Sequence, residues 1–142
     1  MAQKKTRDRS KTENQMINLL LVSDDKEILA AFVNVLKKYD DISFTNVERG
    51  QSALEKISKE TVHLVVANGE LRDMTGIELM EKIVTVSPMT NGALIGSAPP
   101  KEFHEKTEGL GLMAQISPQP DEIEVETESL LQKLDSIVNI SI

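Results

Sequence analysis

Five short apolar runs, each followed by a stretch with apolar residues at helical spacing, constrain this chain more than any other feature. The first run, Ile17-Asn18-Leu19-Leu20-Leu21-Val22, is almost continuously apolar. Alternate side chains of a strand point to opposite sides of a sheet, so such a run must be covered on both faces. Further strands are predicted over Ser43–Val47, His63–Ala67, Ala93–Gly96 and Leu112–Ile116. The first helix is predicted over Lys26–Tyr39, with Ile28, Ala31, Phe32, Val35, Leu36 and Tyr39 on one face. A second is predicted over Gln51–Lys59, with Ala53, Leu54 and Ile57 inward, and a third from Gly76 to near Pro88, with Ile77, Leu79, Met80, Ile83 and Val84. A shorter fourth spans Lys101–Gly109. The last lies between Asp121 and Val138, with Ile123, Leu130, Leu131, Leu134, Ile137 and Val138 as its apolar side.

Strands alternating with helices through short loops make a parallel sheet wound on both faces, a three-layer α/β/α domain. Ligands of such sheets bind outside the carboxyl ends of the strands. The positions of interest therefore follow Val22, Ala67, Ile95 and Ile116: Ser23-Asp24-Asp25, Asn68-Gly69-Glu70, Ser97-Ala98 and Ser117-Pro118.

Composition removes several alternatives. The chain has 142 residues, no cysteine and no tryptophan, so it has no disulfide framework, thiol nucleophile or cysteine-ligated metal. Its net charge of −7 argues against a nucleic-acid-binding body, and four aromatics are too few for a base-stacking platform. Residues 1–12 carry five basic side chains against Asp8, a net of +4, which leaves −11 on the other 130 residues. That leader, taken as residues 1–15, lacks an apolar segment and a small-residue cleavage site, so it reads as a disordered basic tail and not a secretory signal. Residues 16–142 form the folded body. Its longest apolar run is too short to span a bilayer. A cytoplasmic domain without membrane or nucleic-acid partners is the expectation.

Four strings stand at the strand ends and helix starts: Leu-Leu-Val-Ser-Asp-Asp at 20–25, Glu-Arg-Gly-Gln-Ser-Ala-Leu-Glu at 48–55, Leu-Val-Val-Ala-Asn-Gly-Glu-Leu-Arg-Asp-Met-Thr-Gly-Ile-Glu-Leu at 64–79, and Ser-Pro at 117–118. In this order and spacing, the chain from Ile17 to Val138 resembles the response regulator receiver domain of two-component (phosphorelay) signalling. The resemblance implies a flavodoxin-like fold, with five parallel strands and five helices. It also implies phosphoryl transfer from a histidine to an aspartate at the end of the third strand. Asn68 stands there, and a carboxamide cannot form the acyl phosphate. The family holds magnesium with two acidic residues after the first strand; here they read Ser23 and Asp24. Its phosphate-pairing lysine is replaced by Ser117, and its switch aromatic by Ala114. The hydroxyl at Ser97 and the proline at Pro118 remain. These departures together imply a degenerate pseudo-receiver, not an enzyme, with no cofactor expected and only weak residual magnesium binding.

Other roles stay open for the surviving groups. Asp24 suits either a metal ligand or a cap of the first helix, and a register shifted by one residue would pair it with Asp25 as a second ligand. Glu70 could fold into the pocket and complete a metal shell, or remain a solvated loop residue. An active receiver using Asp24, Asp25 or Ser97 as its acceptor is the alternative. Asn68-Gly69 is also a succinimide-forming dipeptide. The last helix opens with Asp121, Glu122, Glu124, Glu126 and Glu128, without a basic residue among them. Helix dipoles favour such carboxylates, and a surface for a basic protein partner or a second copy would use them too. With no output domain after that helix, a stand-alone module acting through protein contacts is expected.

Overall fold

The computed structural model describes residues 16–140, with side chains through Ser136. The predicted leader, and the side chains of Ile137 and Val138, lie outside the described residues. In chain order the elements are β1 Ile17–Val22, α1 Lys26–Leu36, β2 Ile42–Val47, α2 Gly50–Lys59, β3 Leu64–Asn68, α3 Gly76–Val86, β4 Asn91–Ile95, α4 Pro100–Lys106, β5 Ala114–Ile116 and α5 Pro120–Ile140. The five strands are all parallel, in the order β2-β1-β3-β4-β5. This is the doubly wound flavodoxin-like α/β arrangement, whose switch in winding direction falls between β1 and β3.

The alternation of strand side chains builds two cores. Ile17, Leu19 and Leu21 of β1 join Leu64, Val66, Ala93, Ile95 and Ile116 against α1 and α5, around Phe32, Leu130 and Leu134. Leu20 and Val22 face the other way with Val65, Ala67 and Leu94, against Ala53 and Ile57 of α2 and Leu79, Met80 and Ile83 of α3. Both sides of β1 are thus covered, which explains its unbroken apolar run. Met80 fills the second core, while Met74 and Met113 pack at the edges of the two cores.

Several boundaries differ from the sequence expectation. α1 stops at Leu36, and the chain continues in tighter turns, Lys38 N–H to Val35 O at 3.2 Å and Tyr39 N–H to Leu36 O at 3.0 Å. These turns still bring Tyr39 into the core. β3 ends one residue later than predicted, which makes Asn68 its last residue. α4 ends at Lys106, and β5 shortens to Ala114–Ile116. Between them Gly109 (φ 86°) and Gly111 (φ 65°) turn the chain through left-handed backbone that other residues rarely adopt. Leu112 and Met113 therefore pack onto the cores from a loop. Val84, placed inward by periodicity, is 42% exposed. No helix among the described residues is long and apolar enough to cross a membrane.

Candidate functional site

The strand ends meet as the winding requires. Val22 lies beside Ala67, Asn68 beside Ile95, and Ile95 beside Ile116. Ser23, Asn68 and Ser117 therefore stand along the carboxyl ends of the strands.

At the first strand end, Ser23 is 1% exposed and donates its N–H to Val47 O at 2.9 Å. Its hydroxyl accepts the Asp25 N–H at 3.0 Å. The Asp25 carboxylate then accepts from Glu27 N at 2.9 Å and Ile28 N at 3.1 Å, filling two unpaired donors of the first turn of α1. The cap is therefore Asp25 and not Asp24, and both capping bonds fall on Oδ1 of Asp25. Either aspartate fits the capping pattern in the sequence; only the backbone shows which one precedes the first helical residue.

Asp24 has a different partner. Its Oδ2 accepts a 2.9 Å hydrogen bond from Nε of Arg72, in the loop after β3. Asp24 and then Glu48 raise the Arg72 pKa above its ordinary value, and a guanidinium is charged at any ordinary pH. Local structure holds Arg72 in place. Leu71 N–H reaches Met74 O at 2.9 Å, and Glu70 bridges to Thr75. The Asp73 carboxylate accepts from Gly50 N at 2.9 Å and Gln51 N at 3.0 Å. Arg49, at the N-cap position of α2, provides no side-chain cap, so Asp73 caps that helix from another loop. The Gln51 and Gly50 N–H groups, in that order, hold the Asp73 pKa below the usual carboxylate range.

Asn68 supplies a carboxamide whose Oδ1 is buried without a hydrogen-bond partner. Its neighbour Gly69 donates its N–H to Ile95 O at 3.1 Å. Glu70 and Ser97 are exposed. At the fourth strand end Gln115 forms a clamp that sequence reasoning missed. Its amide accepts from Ala98 N at 3.0 Å and donates to Ala98 O at 2.9 Å. The pairing spans 17 positions, and no local pattern marks it. Ala114 is half-buried beside it.

At the fifth strand end, Ser117 is engaged by α5. Its N–H donates to Glu126 Oε1 at 2.7 Å and its hydroxyl to Glu122 Oε1 at 2.5 Å, while it accepts from Gln119 N at 3.2 Å. Pro118 follows within this turn. The acidic cluster is thereby divided. Glu122 and Glu126 hold the turn, Glu124 pairs with Lys38, and Glu128 accepts from the Tyr39 hydroxyl at 3.4 Å. Asp121, Glu122 and Val125 remain exposed, Val125 at 68%. Beside α5 a groove of about 700 Å³ is lined by Phe103, His104, Leu112, Met113, Gln115 and Lys133.

The donor set can be weighed against the magnesium ion that the resemblance implies. A hard dication favours several anionic oxygens. Here Asp24 is taken by a guanidinium, the Ser23 hydroxyl is engaged, and the orphaned Asn68 oxygen is neutral. Among the described residues no three acidic or imidazole groups converge to hold a metal. The residues do not fit the ion. They also offer no carboxylate at the end of β3 and no cation at Ser117.

The comparisons match this fold. A response regulator receiver domain family model covers residues 19–117. Over 78 residues the chain is 27% identical to a probable transcriptional regulatory protein, TcrX, of Mycobacterium tuberculosis, an alignment covering 55% of this chain and 33% of that protein. The chain thus spans about a third of that relative's length. A CheY-like receiver domain protein from Methanospirillum hungatei superposes with a TM-score of 0.69 at 22% identity, covering 86% of this chain and 98% of that one. The chemotaxis response regulator CheY4 of Vibrio cholerae gives 0.70 at 18% identity, covering 84% and 99%. The signal receiver domain of an HD domain-containing protein from Pseudomonas fluorescens gives 0.70 at 21%, covering 86% and 91%. With the family matched over most of its length and the strand ends in register, the chain belongs to the response regulator receiver domains of two-component signalling.

Proposed function

We propose that this receiver domain is not phosphorylated at the usual position and works through protein contacts. The observation that carries this reading is Asn68, a carboxamide at the end of β3. An acyl phosphate needs a carboxylate oxygen as nucleophile. Nor do the neighbouring side chains compensate: Asp25 caps α1, Asp24 is paired with Arg72, and Ser117 is tied to Glu122. The groove between α4 and α5, with exposed Asp121 and Val125 on the outer side of α5, offers a surface for a protein partner or a second copy. Glu105 and Glu108 line the groove together with Lys133, and the exposed Asp121 adds a carboxylate on α5, which suits a partner with basic groups.

Incubation with acetyl phosphate and magnesium, followed by intact-mass measurement and peptide mapping, tests this function. The expected result is unmodified protein. A stoichiometric phosphoryl adduct on Asp24, Asp25 or Ser97 would establish an active receiver with a displaced acceptor. Contact through α5 is probed with Asp121→Lys and Val125→Asp, because reversing Glu124 or Glu126 would also disturb intramolecular bonds.

A further inference from the structure

The strand-end site whose side chains do not fit a metal ion has a cation at its surface. We propose that Arg72 is the resident counter-ion of this site: its guanidinium occupies Asp24 in place of a divalent metal and joins the loops after β1 and β3 without one. This deepens the non-phosphorylated reading of the same pocket and rests on it.

Three observations converge. The first is the direct bond between Arg72 Nε and Asp24 Oδ2, 2.9 Å across 48 positions of sequence. The second is the anchoring of the Arg72 backbone, held on one side by the Leu71–Met74 turn and on the other by Asp73 on α2. The third is the inventory of the remaining oxygens: Asn68 Oδ1 is neutral and buried on a half-buried residue, and the Ser23 hydroxyl accepts from Asp25.

Charge balance explains the pairing. An arrangement of three carboxylates and one lysine needs a dication for neutrality. With Asn68, Ser23 and Ser117 at their positions, one carboxylate remains, and one guanidinium neutralises it. A guanidinium is weakly hydrated and forms directed hydrogen bonds to carboxylates. Magnesium dehydrates reluctantly and gains little from a single carboxylate that is already engaged. The pair thus joins the two loops without a metal ion, through a surface contact that competes with water.

The test is a Mn²⁺ titration of the full chain at constant ionic strength, read by paramagnetic broadening of the Asn68 and Gly69 amide signals. Wild type is expected to show no selective broadening. Arg72→Gln is expected to bind Mn²⁺ about tenfold more tightly, because a competing unit charge has left the carboxylate. Adding Asp24→Asn should abolish that gain, and Arg72→Lys should keep the ion out. Wild-type broadening as strong as that of Arg72→Gln would overturn the proposal, as would an unchanged affinity in Arg72→Gln. No phosphoryl donor is present, so this result stands apart from the acetyl phosphate experiment: the counter-ion role can fail while the site stays unphosphorylated, and an adduct can form while wild type excludes Mn²⁺.

Discussion

Gly76 has no room for a side chain. A Cβ there would lie 2.4 Å from the Asn68 carbonyl oxygen and 2.7 Å from Leu94 Cδ2. The Gly76 N–H also donates to Gly69 O at 2.9 Å, so the start of α3 is pressed against the end of β3. A backbone oxygen cannot move aside as a flexible side chain can. Gly76→Ala should therefore destabilise the domain by about 1–3 kcal/mol, measured by urea unfolding, and shift the Asn68 and Gly69 resonances. The neighbouring Asp73 gives a pH-dependent case. Its folded pKa is depressed by helix N–H groups, so its stabilising effect is present above the unfolded value of about 3.9 and fades as pH falls through the lower folded value. Asp73→Ala should lower the urea midpoint at neutral pH, and the gap from wild type should narrow below about pH 4. An undiminished gap in acid would mean that packing, not the charged cap, is responsible. The placement of Ser23, Asn68 and Ser117 at the strand ends was legible in the sequence, because apolar runs make strand ends easy to place. The roles of Asp73 and Arg72 were not, because each acts on a partner more than twenty positions away.

The elements show the same division between local and distant information. Helical periodicity placed the buried faces of α1, α2 and, through Leu134, α5 correctly, since each apolar stripe has one core to meet. It failed at Val84, which is exposed, and the apolar run read as β5 began too early, because Leu112 and Met113 contribute to the cores from outside a strand. The Gln115 clamp also escaped it. A glutamine in a short strand carries no pattern, yet its amide matches both the donor and acceptor of Ala98. Gln115→Ala should leave the sheet folded and speed amide hydrogen exchange at Ala98 selectively. Unchanged exchange there would assign the order of this loop to other contacts. On α5, Thr127 is fully buried and its hydroxyl lacks a partner. Replacing an unsatisfied buried hydroxyl by a methyl removes a desolvation penalty, so Thr127→Val should raise stability by about 1 kcal/mol, read from the urea midpoint.

At the scale of the whole molecule, the acid excess and the ion pairs respond to salt in opposite senses. The chain carries 23 acidic against 16 basic side chains. Among the described residues, Lys56–Glu60 and Lys106–Glu102 join neighbouring turns of one helix, while Lys38–Glu124 and Arg72–Asp24 join separate elements. All four involve partly or largely exposed side chains, and exposed pairs contribute little after solvation and side-chain entropy. Repulsion among the surplus carboxylates acts over longer distances and opposes the compact state. Salt shortens the Debye length to about 8–10 Å near physiological strength, which weakens that long-range repulsion more than contacts below 3 Å. The melting temperature should therefore rise when sodium chloride goes from about 10 mM to about 150 mM. A fall over that range would show that the ion pairs outweigh the net charge. The Arg72→Gln variant refines the outcome: it loses one cation, so its melting temperature should rise more steeply with salt than that of wild type. An equal slope would mean that Arg72 is coupled only to Asp24 and not to the wider acidic field that includes Glu48.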